Sequence, residues 1–99
     1  MSNVSAKERL LTLIREHALL SGGDFELASG ERASVYIDLR RVTMHPEGAT
    51  LIGTMLAQHL ADSDVTAVGG MATAAIPVVT AVVMASASGD KPLRGFYVR

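Results

Sequence analysis

The sequence predicts an α/β fold, a parallel sheet flanked by helices and incomplete at its C-terminus. Three observations predict it. The run Val65–Val68 leads through Gly69-Gly70 into an apolar helical segment, and Leu93–Val98 then reads as a second strand. Strand, helix and strand in that order make a right-handed βαβ unit with parallel strands. An amphipathic helix and a hairpin precede it. Parallel sheets are covered on both faces, and the 99 residues hold only about half of a doubly wound domain. The chain therefore reads as a fragment of a longer protein.

The first element starts at Ser5-Ala6-Lys7-Glu8, a capping box with a hydroxyl at the N-cap and a carboxylate three residues on. Leu10, Leu13, Ile14 and Ala18, with Leu11 alongside, keep helical spacing, and Ser21-Gly22-Gly23 is expected to stop the helix. Lys7, Arg9, Arg15 and Glu16 fall largely on its wet side. Phe25–Ala28 reads as a short strand, Ser29–Arg32 as a turn, and Ala33–Arg40 as a second strand rich in β-branched and aromatic residues. Val35, Ile37 and Leu39 share one face of it; Ser34, Tyr36, Asp38 and Arg40 share the other. That polar face is either a functional surface or an ordinary solvated face.

Pro46-Glu47 opens the next helix, because proline suits the first helical position and an acid complements the dipole there. Its expected buried stripe is Leu51, Ile52, Met55, Leu56 and Leu60, with Gly48 and Gly53 permitting close packing on a sheet. Asp62-Ser63-Asp64 ends it. The helix from about Thr73 or Ala74 to Ala87 is apolar all round apart from Thr80 and Ser86, which predicts burial on several sides. Ser88–Pro92 is a loop.

Composition narrows the function classes. The formal net charge is −1, so no global basic field draws in nucleic acid or an anionic membrane. There is no cysteine, which excludes a disulfide framework and a zinc–thiolate site. The apolar run Ala72–Ala87 is too short to span a bilayer comfortably, and Met1–Arg9 lacks a signal-peptide core. Hydrophobic residues reach 48%, high for a chain of this size, so either the core is rich or part of the surface is made to be covered. His17, His45 and His59 lie far apart, on different elements and in no metal-ligand spacing, and are expected to have structural or surface roles. Gly69-Gly70 is no P-loop, since no Gly-Lys-Ser/Thr follows. At a strand end before a helix it is a plausible floor for a ligand or simply a tight turn.

Taken together, several segments carry a resemblance. Leu27–Gly30, Ser34–Thr43 and His45–Gly48, followed by Val68–Gly70 with Ile76-Pro77 and the closing Phe96–Arg99, resemble orotate phosphoribosyltransferase in order and spacing, from the first helix to Arg99. The resemblance implies the N-terminal half of a type I phosphoribosyltransferase fold. A hood would occupy about residues 1–42, and the parallel α/β core would begin at about 43–99. It implies transfer of the phosphoribosyl group of 5-phosphoribosyl 1-diphosphate (PRPP) to orotate, giving orotidine 5′-monophosphate and pyrophosphate. Mg2+ would accompany the diphosphate, in a cytoplasmic homodimer with shared active sites.

Residue by residue, Tyr36 and Ile37 match the hood pair that packs on the orotate ring. Gly70, Met71, Ala72, Thr73 and Ala74 match the turn near diphosphate and base. Arg99 matches the arginine that opens the catalytic loop and contacts PRPP. Departures are Ala28 and Ala74, where some members place lysines, and Ile76, where others place an acid. Phosphate grip from this half of the fold would then rest on backbone groups. The family's later loop lysines and histidine, and its acidic-pair phosphoribosyl loop, lie beyond Arg99, so the fragment alone is expected to be inactive. A phosphoribosyltransferase for another base, or a non-catalytic ligand-sensing module with this fold, are the alternatives.

Overall fold

The structure, a computed structural model, describes residues 4–99; residues 1–3, the start of the stretch read as lacking a signal-peptide core, lie outside it. The elements are α1 (Ala6–Leu13) running into a π-helical turn (Ile14–Ala18), then β1 (Leu19–Glu26), β2 (Arg32–Ile37), α2 (Arg40–Thr43), α3 (Pro46–Leu60), β3 (Ala67–Met71), α4 (Ile76–Ser86) and β4 (Arg94–Val98). β1 and β2 form an antiparallel pair; β3 and β4 form a separate parallel pair. The expected βαβ unit is therefore present.

The N-terminal helix starts as its sequence requires: the Glu8 amide donates to Ser5 Oγ at 3.1 Å. Its end differs from expectation. Ser21-Gly22-Gly23 does not stop it; the helix closes at Ala18 and the chain is extended from Leu19. Cross-strand pairing decides this, because Leu19 and Leu20 lie opposite Ile37 and Tyr36, and the Asp38 amide donates to Ala18 O at 2.9 Å. Gly22, with φ +78°, instead serves the irregularity between Ser21 and Phe25, where the strand register shifts. The second strand is also shorter than expected and ends at Ile37. Asp38 turns back to accept from Arg40 at 2.8 and 3.1 Å, and Arg40 begins a short helical turn.

A small core of Leu13, Ala18 and Val42, with Leu10, Ile14, Leu51 and Ile52 against it, joins this N-terminal piece to α3. The glycines of α3 pack differently from expectation: they meet helices, not a sheet. A Cβ on Gly53 would strike the carbonyl of Ala81 in α4, and one on Gly48 would strike the carbonyl of Val42. These contacts, rather than the full leucine stripe, set the closest approach, and Leu56 stays 40% exposed.

α4 also departs from expectation. It packs on α3 through Ala81 and on β4 through Val79 and Val83, which press on Gly95. Only Val82 and Ser86 of it are buried, and Met84 is 72% exposed. Ser86 ties the unit together: its hydroxyl donates to Val83 O and accepts from the Leu93 amide at 2.8 Å, where β4 begins. Side chains of the parallel pair alternate, so Val68, Gly70, Gly95 and Tyr97 share the face toward α4, while Met71, Phe96 and Val98 lie on the opposite face, largely exposed. The accessible surface is 7202 Å², against about 5,400 Å² for a compact monomer of this mass. Large apolar side chains share in that exposure, among them Val35, Ile37, Met44, Met71, Met84 and Phe96. Among the described residues no helix is long and apolar enough to cross a membrane.

Candidate functional site

The glycines expected to form a turn lie inside β3. Gly69 is opposite Phe96 and Gly70 opposite Tyr97 in the parallel ladder. Their missing Cβ atoms serve packing: the Phe96 ring lies across Gly69, and a Cβ on Gly70 would come within 2.6 Å of Ala75 Cβ. The turn itself is Ala72–Ala75. The Ala72 amide extends the ladder to Val98 O at 2.8 Å, Ala75 donates to Met71 O at 3.1 Å and Ile76 to Thr73 O at 3.1 Å. The Ala72–Thr73 peptide is cis. Among the described residues the Thr73 and Ala74 amides find no acceptor, and both residues are exposed. They sit just before the N-terminus of α4, where Pro77 brings no N–H and no acidic residue occupies the first turn. Open amides with a helix dipole behind them make an environment that favours an anion.

Arg99 follows β4 directly. Because Met71 pairs with Val98, Arg99 lies at the same sheet edge as the turn. Its guanidinium is 5.7 Å from the centroid of the Tyr97 ring and a nitrogen is 3.5 Å from the Tyr97 hydroxyl. The structure thus brings Gly70, Met71, Ala72, Thr73, Ala74 and Arg99 together at the carboxyl ends of the parallel strands.

Tyr36 and Ile37 stand on the hairpin instead. Both are exposed, at 40% and 50%, and the Tyr36 ring is braced by Phe25 at 6.0 Å between centroids. Among the described residues no hydrogen bond, ion pair or ring contact links this pair to the 72–75 turn. Beside it Asp38 is largely buried, with a side chain 14% exposed, between Arg40 and Arg41. Its hydrogen bonds from Arg40 hold its carboxyl below the usual aspartate range.

Two contacts at the N-terminus of α3 have no sequence signature. His45 caps the helix, its Nδ1 accepting from the Glu47 and Gly48 amides at 3.1 and 3.3 Å. The Glu47 carboxylate is thereby left to the Arg9 guanidinium, which holds it in a two-pronged contact at 2.6 and 2.7 Å. That hydrogen bond lowers the Glu47 pKa from its ordinary value. His17 and His45, read as far apart, meet with ring centroids 5.0 Å apart. The fold of α1 onto α3 causes this, and only tertiary proximity reveals it. Among the described residues no group of three or more His, Asp or Glu side chains comes together to hold a metal ion. A cleft of about 690 Å³ lies near Gln58, Asp62 and Lys91, at the other end of α4 from the turn.

This arrangement, a βαβ start with an amide-lined strand-to-helix turn and an N-terminal hairpin, is the first part of a phosphoribosyltransferase fold. Along its whole length the chain is homologous to the N-terminal half of orotate phosphoribosyltransferases. It is 45% identical over 107 aligned positions to the orotate phosphoribosyltransferase of Rhodopirellula baltica, covering all of this chain and 55% of that one. It is 41% identical to that of Corynebacterium glutamicum, covering 98% and 50%. A crystal structure of Mycobacterium tuberculosis orotate phosphoribosyltransferase in complex with PRPP superposes with a TM-score of 0.73 at 35% identity, covering 96% of this chain and 54% of that one. No family model matches. The chain spans about half the length of the curated relatives it matches.

Proposed function

We propose that the chain is the N-terminal half of an orotate phosphoribosyltransferase, a cytoplasmic homodimer with active sites shared between subunits. It would transfer the phosphoribosyl group of PRPP to orotate, releasing pyrophosphate. The observation that carries this reading is the whole-length likeness to orotate phosphoribosyltransferases. Residues of about 1–42 act as the hood and about 43–99 as the start of the core.

In this reading Tyr36 and Ile37 offer an aromatic face and an apolar neighbour to the flat orotate ring. Gly70 and Met71 bring the strand edge up to the ligands, and Ala72, Thr73 and Ala74 present backbone to the diphosphate. The open Thr73 and Ala74 amides support that role, since they need an acceptor and lie at a helix N-terminus. Arg99 adds a charge-assisted hydrogen bond to the phosphate-bearing substrate, worth roughly 1.5–3 kcal/mol. Bond breaking at the anomeric carbon leaves charge on the departing diphosphate, so positioned cationic and amide donors suffice on the protein side. The described residues do not assemble a donor set for a protein-held metal. Mg2+ would accompany the diphosphate of PRPP and offset the charge that develops on the leaving group.

The reading is tested by orotate-dependent release of pyrophosphate from PRPP. Full-length enzyme is expected to show it and the 99-residue chain to lack it. Turnover by the isolated chain, or none by the full-length protein, would count against the proposal. In the full-length enzyme Tyr36→Ala is expected to raise the orotate KM about tenfold, the size of a lost ring-stacking contact. An unchanged KM removes Tyr36 from the orotate site.

A further inference from the structure

Arg9 and Glu47 sit 38 residues apart, on α1 and at the start of α3. The other described ion pairs are local: Arg32 with Asp24 and Glu26, Asp38 with Arg40 and Arg41, and His17 with Glu16. The Arg9–Glu47 pair alone among them joins the N-terminal piece to the core. Both side chains are 42% exposed, so the pair contributes little stability by itself. Its value is directional. Two parallel hydrogen bonds between a planar guanidinium and a planar carboxylate fix rotation as well as distance.

The carboxylate is also held from its own side. Glu47 occupies the first turn of α3, whose end is capped by His45, and His45 in turn meets the His17 ring. α1 continues without a loop through the π-helical turn into β1, and β1 carries β2 with Tyr36 and Ile37. Any rotation of α1 on α3 is thus transmitted to the hairpin. The apolar contacts of Leu10, Leu13 and Ile14 hold α1 down, and the guanidinium–carboxylate pair adds a directional side-chain contact between α1 and α3.

We infer that Arg9 and Glu47 are positioning residues which set the angle of the hairpin, and hence of the Tyr36–Ile37 pair, relative to the parallel core. The functional half of this inference rests on the orotate reading of that pair; the mechanical half does not. The chain has no cysteine, so in the full-length protein, with any cysteine outside these residues replaced, spin labels attached at Glu31→Cys on the hairpin turn and Gln58→Cys on α3 report their separation. Pulsed electron spin resonance on the labelled protein is expected to give one narrow distance distribution. Arg9→Gln is expected to broaden it, Arg9→Lys to recover it in part, and the exchanged pair Arg9→Glu with Glu47→Arg to recover it further. A distribution unchanged in Arg9→Gln overturns the proposal.

In the full-length enzyme Arg9→Gln is expected to raise the orotate KM about fivefold while the PRPP KM and kcat stay near wild type. Equal rises in both KM values, with a lowered thermal midpoint, signify general loosening and also overturn it. If the full-length wild type does not use orotate while Arg9→Gln still broadens the distribution, the hairpin mount stands and the orotate reading falls.

Discussion

Gly53→Ala is expected to lower the thermal unfolding midpoint of the chain by up to about 15 °C, measured by circular dichroism. The usual sign for an exposed helical glycine is the opposite, since alanine improves helix propensity by up to ~1 kcal/mol. Here the new methyl would meet the carbonyl oxygen and carbonyl carbon of Ala81 in the facing helix. Those are backbone atoms, which cannot turn aside as a side-chain tip can. Overpacking of this kind costs about 1–3 kcal/mol, and the excess over the propensity gain translates at about 4–8 °C per kcal/mol for a domain of this size. Gly89→Ala serves as the control: the nearest atom to its Cβ would be Ser86 O at 3.5 Å, an ordinary contact. Equal midpoints for the two variants would show that α3 and α4 do not pack as closely as described.

Gly70→Ala in the full-length enzyme is expected to lower kcat/KM for PRPP about a hundredfold. Its methyl would lie 2.6 Å from Ala75 Cβ, and Ala75 is the N-cap of α4. Carbon atoms in contact rest about 3.5–4.0 Å apart, so strand and helix start must part by roughly 1 Å. The residues between them are Met71–Ala74, which include the two open amides. A misplacement of about that size costs on the order of 10²-fold in rate where catalysis depends on position. Gly69→Ala gives the contrast, because the atoms it meets belong to the Phe96 ring, which is 54% exposed and free to swing away. A fall of less than threefold for Gly70→Ala would remove this turn from the PRPP site.

Much of the fold was legible from residue pattern. Ser5 with Glu8, and Pro46 with Glu47, mark helix starts through local chemistry, and both starts are where they were expected. The apolar periodicity of the helices and the strand–helix–strand order also survive in the structure. The errors share a cause. Gly22-Gly23 and Gly69-Gly70 read as breakers because glycine is conformationally free, yet both pairs lie within strands. A glycine that breaks a helix and a glycine that makes room for Phe96 or Ala75 look alike until the partner is in place.

Of the candidate site, the strand-to-helix turn was traceable from pattern and Arg99 was placed by resemblance; the parallel register brings the two to one end of the strand pair. The Tyr36–Ile37 pair was placed by resemblance, and its relation to the turn depends on how α1 docks on α3. Arg9 was read as a solvated charge; it grips Glu47. His17 and His45 were read as separate; their rings touch.

By itself the sequence determined the element types, the parallel βαβ order, the capped helix starts and the likeness to orotate phosphoribosyltransferases. Those rest on short-range chemistry and periodicity, which are written within a few residues of each other. Only the tertiary structure decided which glycines are packing sites, where the hairpin begins, which amides in the 72–75 turn are left open, and which charge on α1 meets Glu47. Each of these depends on a partner tens of residues away, and no local pattern encodes the distance between two side chains that meet only after the chain has folded.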